Sequence, residues 1–348
     1  MKRFGTAWLT TNRNCNNNCS WCYAKNTLGT KAVMDLEQTK IAVDELKRRG
    51  VKKIVLIGGE PTIYPHFFEL SKYIAESGIQ VSVASNGRKF ANMEFVTKTK
   101  EAGISGVDIS IKAITEEEYH ANTHSFGLKE MLKGYHNLKS SGVHVSTSYV
   151  IVDDDKKHFD DFVSFLEREQ IASVFIQFVK PTLSLETTYE IMPLDKMGKF
   201  VTYVYERLSK TNIDYTLEIS FPICLIDEEI WDKLLKENRI SNCCHVPRGS
   251  GINIDEKFRV LPCNHFAEFP FAETPVDFAD QTALDKLYET AAVKEFRATA
   301  RMYPAEKCQT CDKWNICGGG CFTRWLMEDP NAYIKWFLNQ LKLNKNGV

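Results

Sequence analysis

The chain has 348 residues, 43% of them hydrophobic, with 44 Lys and Arg set against 45 Asp and Glu for a formal net charge of -1. That length and apolar content suffice for about two domains with real cores and exclude disorder or a fibrous fold, while the balanced charge gives no global electrostatic reason to expect nucleic acid or an anionic membrane surface. No apolar run approaches the roughly eighteen residues of a membrane span, and Met1 to Thr6 enters strand-like sequence without the apolar core of a signal peptide, so a soluble cytoplasmic protein is expected.

In a reducing compartment, grouped cysteines more often bind metal or do chemistry than form disulfides. The 11 cysteines here fall into two groups. Cys15, Cys19 and Cys22 come first; Cys224, Cys243, Cys244, Cys263, Cys308, Cys311, Cys317 and Cys321 follow after a long gap.

Up to about residue 200 one theme repeats: an amphipathic helix pattern, a glycine, then a short β-branched run. Gly50 precedes Val51–Ile57, Gly78 precedes Ile79–Val83, Gly103 precedes Ile104–Ile111 and Gly142 precedes Val143–Val145. Each glycine suits the residue after a helix, where φ is positive, and each run suits a buried strand. With strands near Phe4–Thr10 and Val174–Val179 this makes about six βα units, a parallel array with its functional groups at the strand C-terminal ends. Beyond about residue 220 helical periodicity fades and cysteine rises, with Gly318-Gly319-Gly320 between two cysteines. A small core held by metal suits such a segment. The expected domains are 1–220 and 221–348, the second with a C-terminal helix.

The first motif, Cys15-Asn-Asn-Asn-Cys19-Ser-Trp-Cys22, follows the first strand. Three thiolates so spaced can wrap a loop around an iron–sulfur cube and leave one iron open; the alternative is zinc or a structural cluster wanting a fourth ligand. After the second strand comes Gly58-Gly59-Glu60-Pro61-Thr62, and after the third Ser85-Asn86-Gly87.

Together these motifs resemble the radical SAM superfamily over about residues 4–200. The resemblance implies a partial (β/α)6 TIM-type barrel in which Cys15, Cys19 and Cys22 hold a [4Fe-4S] cluster. S-adenosyl-L-methionine on that cluster is cleaved reductively to a 5′-deoxyadenosyl radical, which takes a hydrogen from substrate. Glu60, with the Gly59 carbonyl, suits the methionine ammonium, and Gly58 and Gly59 permit close backbone approach. Ser85 and Asn86 suit the ribose, and Trp21 the adenine. Strand alternation groups Asp108, Ser110 and Lys112 on one face. Ser110 and Lys112 then reach ribose or carboxylate, Lys112 standing where relatives often have an aspartate; the arginine expected a little later is absent, with His124 nearby. Lys112, Asp153 and Gln177 are the candidate catalytic residues. Asp153-Asp154-Asp155 also fits helix capping, and Gln177 also fits packing.

Cys308-x2-Cys311-x5-Cys317-x3-Cys321 resembles the SPASM domain, a cysteine-rich iron–sulfur extension that carries auxiliary [4Fe-4S] clusters, from about Cys243 to Cys321. The resemblance assigns Cys321, with Cys244 or Cys243 and Cys263, to one auxiliary cluster, and Cys308, Cys311 and Cys317 to a second. Cys224 is then a spare thiol for the first. Three departures stand out. Phe258 replaces a turn glycine, so the hairpin Ile254–Phe258 is expected to turn differently. Asn264 replaces an aspartate of sulfatase-maturing relatives, against formylglycine formation. No cysteine follows Cys321, leaving the second cluster to a carboxylate such as Asp312 or Asp329, to an open iron, or to partial occupancy.

The resemblance implies an enzyme that matures a peptide or protein, a ribosomal precursor in the first instance, by crosslinking, epimerisation or excision. A small-molecule dehydrogenase is the alternative, and a zinc-stabilised scaffold a further one. A flavodoxin or ferredoxin would supply electrons, and leader recognition would fall to a separate protein or to the barrel surface.

Overall fold

The computed structural model describes residues 1–181, 192–241 and 244–328, with side chains through Trp325. Cys243, Asp329 and any further C-terminal helix lie outside the described residues.

Strands and helices alternate from the start: β1 (Thr6–Thr10), α1 (Leu36–Arg48), β2 (Lys53–Ile57), α2 (Phe67–Glu76), β3 (Gln80–Ser85), α3 (Met93–Glu101), β4 (Gly106–Ile111), α4 (Glu116–Thr123), α5 (Leu128–Ser141), β5 (His144–Ile151), α6 (Lys156–Arg168) and β6 (Ser173–Phe178). The alternation continues through α7 (Leu194–Leu208), β7 (Asp214–Glu218), α8 (Glu228–Lys236) and β8 (Ile240–Ser241). Then come α9 (His245–Arg248), β9 (Gly251–Ile254), β10 (Val260–Leu261), α10 (Ala283–Glu289), α11 (Ala291–Thr299), α12 (Trp314–Cys317) and α13 (Phe322–Glu328). All six expected strands are present. Gly50, Gly78, Gly103 and Gly142 have φ of 87°, 77°, 74° and 78°, which lets each chain turn out of its helix without a Cβ clash.

Two compact units divide the chain, Met1–Ser148 with Arg248–Lys294, and Tyr149–Pro247 with Glu295–Val348. In the first, β1 to β4 pair in parallel succession, β9 adds in parallel to the free side of β1, and β10 returns antiparallel on β9. The strand interiors Ala7, Leu9, Ile54, Leu56, Val81, Val83, Val107 and Ile109 are buried, as a sheet covered by helices requires. The second unit has a parallel β6–β7–β8 ladder. Its α7 seats against a short 3-10 turn, Ile223–Leu225, so closely that a Cβ on Gly198 would stand 1.9 Å from the Leu225 carbonyl oxygen.

The β9–β10 hairpin corrects one expectation. Phe258 itself takes the left-handed conformation, φ 63°, that a glycine would adopt, so the turn is not made differently. Its N–H donates to the Asp255 carbonyl, and the Asp255 carboxylate accepts from the Lys257 and Arg259 N–H groups. The buried Phe258 ring, tilted against Phe278, offsets the backbone strain.

Candidate radical SAM site and the C-terminal cysteines

The loop after β1 is held by its asparagines. Asn17 Nδ2 donates to the Tyr119 hydroxyl at 2.9 Å and its Oδ1 accepts from Ser125, while Asn18 and Ser20 N–H groups donate to the Thr123 and Asn122 carbonyls of α4. Asn16 accepts from Asn86 Nδ2 at 2.6 Å. Cys15, Cys19 and Cys22 are therefore carried on a loop clipped to its surroundings on both sides. The Asn-Asn-Asn run between the cysteines was the available sequence signal for these clips.

Gly58 and Gly59 meet the chain itself. A Cβ on Gly59 would stand 2.1 Å from the Asn14 carbonyl oxygen, and one on Gly58 2.7 Å from that of Asn12. Gly59 N–H donates to Asn12 O at 2.9 Å and Glu60 N–H to Asn14 O at 2.7 Å, joining this loop to the root of the cysteine loop. The Glu60 side chain, 1% exposed, accepts from Thr62 N–H, Thr62 Oγ1, Ser85 Oγ and Asn86 N–H. It thereby fixes the ends of β2 and β3 relative to each other. Ser85 Oγ in turn accepts from Gly87 N–H.

Asp108 and Ser110 on β4, and Lys112 just past its end, are half-buried between buried neighbours, as alternation predicts. Asp108 accepts from Ser146 and Ser148 of β5, and Ser110 Oγ lies 3.5 Å from Ser148 Oγ. The Lys112 ammonium is close enough to Cys22 to favour its thiolate. Trp21 buries an indole N–H with no protein acceptor.

Two basic residues escaped the sequence reading. Arg13 forms a buried ion pair with Glu256 at 2.6 Å. Arg88, in the turn after β3, donates to the Asn16 carbonyl and to Asn17 Oδ1 and so clips the cysteine loop. His124 ends α4 with φ 52°. Asp153 is exposed and accepts from Asp155 N–H, while Asp155 caps α6 by accepting from His158 N–H; both fit the capping alternative. Gln177 is half-buried on β6, in register with Glu218.

In the second unit the cysteines form two neighbourhoods. Cys244 and Cys321 lie within electrostatic reach of each other, close to the Lys180–Glu218 ion pair. Cys317 lies within reach of Cys224 and Cys308. Cys263 belongs to the first unit, close to Tyr23, whose ring packs 5.1 Å from His265.

Five of these sulfurs share a local geometry. Cys15 accepts from the N–H of Asn17, Cys22 from Ala24, Cys244 from Val246, Cys263 from His265 and Cys317 from Gly319. A backbone N–H two residues on and aimed at sulfur stabilises thiolate over thiol. Burial opposes it, pushing the Cys15 thiol up to about 12, with the nearby Glu60 and fellow cysteines adding to the rise, and the Cys244 thiol likewise to about 12. Buried thiolates with donors already aimed at them need positive charge, which iron supplies. The donor set fits iron–sulfur ligation.

Comparison with known proteins agrees. Residues 9–166 match the family profile described as the Radical SAM superfamily. The chain is similar to Fe-coproporphyrin III synthase of Methanosarcina barkeri, 25% identical over 357 residues that span 92% of this chain and 86% of that one. Among solved structures, Streptococcus suis SuiB bound to precursor peptide SuiA superposes with a TM-score of 0.73 at 15% identity, covering 94% of this chain and 74% of SuiB. Native anSMEcpe with bound AdoMet and the Cp18Cys peptide gives 0.70 at 16% identity, covering 97% and 95%. The fold is that of the radical SAM partial barrel followed by a cysteine-rich C-terminal segment. The cysteine triplet in the loop after β1 lies within the matched residues 9–166, so the chain carries a radical SAM domain, the domain of an enzyme that uses S-adenosylmethionine and a [4Fe-4S] cluster.

Proposed function

We propose that this enzyme modifies a peptide or protein, in the first instance a ribosomally made precursor. One observation carries the reading: the fold is shared along more than nine-tenths of the chain with two proteins whose structures hold a bound peptide. When bound at Cys15, Cys19 and Cys22, the cluster and S-adenosylmethionine supply hydrogen-atom abstraction by a carbon radical. The chain's own residues position that chemistry. Lys112, beside Cys22, offers a cation for the methionine carboxylate; Ser110 offers a hydroxyl to the ribose; Trp21 offers an aromatic face and an unused N–H at the adenine end. Glu60 holds the β2 and β3 loops in place, and its Oε2, which accepts from Asn86 N–H, would also accept from the methionine ammonium. Cys244 or Cys243 with Cys321, and Cys308, Cys311 and Cys317, would hold auxiliary clusters. Electrons come from a flavodoxin or ferredoxin.

Similarity to Fe-coproporphyrin III synthase along 92% of the chain favours a second reading, a small-molecule substrate such as a porphyrin. The two separate in one assay. Anaerobic enzyme, dithionite and S-adenosylmethionine are incubated with peptides from the short reading frames flanking the gene, or with an iron porphyrin precursor of iron-coproporphyrin III. Peptide-dependent 5′-deoxyadenosine with a mass change in the peptide is expected; stimulation by the porphyrin alone would refute the peptide reading.

A further inference from the structure

Read in order, the second auxiliary site is one cysteine short within these 348 residues, since positions 322–348 hold no cysteine. One thiol upstream of the segment is placed to supply a donor. After β7 the chain turns through Ser220, Phe221 and Pro222 into the 3-10 turn Ile223–Leu225, which carries Cys224. The C-terminal cysteine segment is locked onto this turn at three points. Cys321 N–H donates to the Ser220 carbonyl at 2.8 Å. Gly320, with φ 85°, lies against Phe221 so tightly that a Cβ would stand 2.5 Å from the Phe221 Cα. Ile223 N–H donates to the Cys317 sulfur, which accepts from Gly319 N–H as well. From the other side, the close seat of Gly198 against Leu225 holds the turn on α7. Cys224 is thus held within electrostatic reach of Cys317, as is Cys308.

We infer that Cys224 is the fourth ligand of the cluster held by Cys308, Cys311 and Cys317. The inference rests on the auxiliary-cluster reading above and alters it in two respects: Cys224 does not serve the Cys244–Cys321 site, and the second cluster has no open iron. Four thiolates saturate it, so it cannot bind substrate directly and is left to conduct electrons or to hold the C-terminal segment on β7. The alternative carboxylate within the described residues, Asp312, is exposed and lies beside the Lys313 ammonium. Among the described residues no three His, Cys, Asp or Glu groups converge as a single bound ion requires; a multi-iron cluster spans wider thiols.

The test uses the full chain, purified anaerobically, and needs no substrate. Cys224 is exposed in the fold, so a thiol reagent reaches it unless it is ligated. Iodoacetamide labelling with peptide mapping is expected to find Cys224 protected together with Cys308, Cys311 and Cys317, and all four labelled once iron is chelated away. Prompt labelling of Cys224 while the other three stay protected would overturn the inference. A second arm places Cys224→Ser in a chain whose Cys15, Cys19 and Cys22 are alanine, and reads iron, acid-labile sulfide and the electron paramagnetic resonance spectrum. The expected result is loss of about four irons with no further loss when Cys308→Ala is added, or conversion to a three-iron signal that Cys308→Ala then abolishes. Iron, sulfide and spectrum identical to those of the parent, or losses that add, would overturn it. If the parent itself holds no labile sulfide, the auxiliary-cluster reading fails, and this assignment with it.

Discussion

Replacing Gly59 with alanine puts the junction between the cysteine loop and the β2 loop under a strain that the structure sizes directly. The new Cβ would stand 2.1 Å from the Asn14 carbonyl oxygen and 2.5 Å from its carbon, both backbone atoms that no rotamer change can move. An ordinary contact lies near ~3.5 Å, so the two backbones must separate by roughly 1.4 Å. That breaks the hydrogen bonds from Gly59 N–H to Asn12 O and from Glu60 N–H to Asn14 O, now 2.9 and 2.7 Å. Two buried backbone bonds, with their donors left unpaired, cost about 2–5 kcal/mol, a large share of a typical folding stability. Because Asn14 leads directly into Cys15, the same displacement moves the first cluster ligand. Gly50→Ala is the control: its φ is 87° but no atom lies within 4 Å of the added carbon, so only the left-handed backbone cost of about 1–2 kcal/mol applies. Guanidinium unfolding of the apoprotein reads stability, and iron content after anaerobic reconstitution reads the site. Gly59→Ala should lose both stability and one cluster's iron, and Gly50→Ala only a little stability. A Gly59→Ala protein as stable as Gly50→Ala with a full iron complement would refute the argument.

Other outcomes follow from single residues. Alanine at Cys15, Cys19 and Cys22 should abolish 5′-deoxyadenosine, measured by chromatography, while C-terminal iron and sulfide remain; persistence of that product would remove the assignment of the first cluster. Phe258→Gly relieves left-handed strain of about 1–2 kcal/mol but forfeits a buried aromatic ring worth about 3–5 kcal/mol. Unfolding should therefore show net destabilisation, and a stabilised variant would mean the ring contributes little. Asp285 is held down to about 2 by its hydrogen bonds from Arg49 and the Lys2 N–H. A carboxylate depressed on folding stabilises above its unfolded pKa of about 4 and loses that contribution as pH falls towards 2. Its side chain is 37% exposed, so screening reduces the effect to roughly 1 kcal/mol. Asp285→Asn should flatten stability between about pH 4 and 2, and an unchanged acid limb in a pH series would count against the pairing. Glu60→Gln replaces an acceptor with a donor facing either Asn86 N–H or the Thr62 and Ser85 groups, at a cost of about 1–3 kcal/mol; thermal unfolding measures it, and a neutral result would show that the carboxylate is not the organiser of the two loops.

Much of this protein is written in local pattern. The βα alternation needs only helix stripes, a glycine able to take positive φ and β-branched runs, and Gly50, Gly78, Gly103 and Gly142 each do what that pattern requires. The three-cysteine loop is likewise local, since three thiols within eight residues must share a site wherever the loop goes. Distance in sequence hid the rest. Gly58 and Gly59, read as letting a ligand approach, also leave room for the Asn12–Asn14 backbone, a contact no local pattern encodes. Arg13 finds Glu256 across 243 residues, and β9 joins β1 from the far end of the chain. Phe258 keeps a glycine's conformation because a tertiary pocket for its ring outweighs backbone strain. The cysteines end the same way: the sequence by itself determines how many there are and that they group. Which thiol stands beside which depends on where β7 delivers Cys224 and on Gly320 fitting against Phe221, because side chains from separate segments meet only when packing brings the segments together.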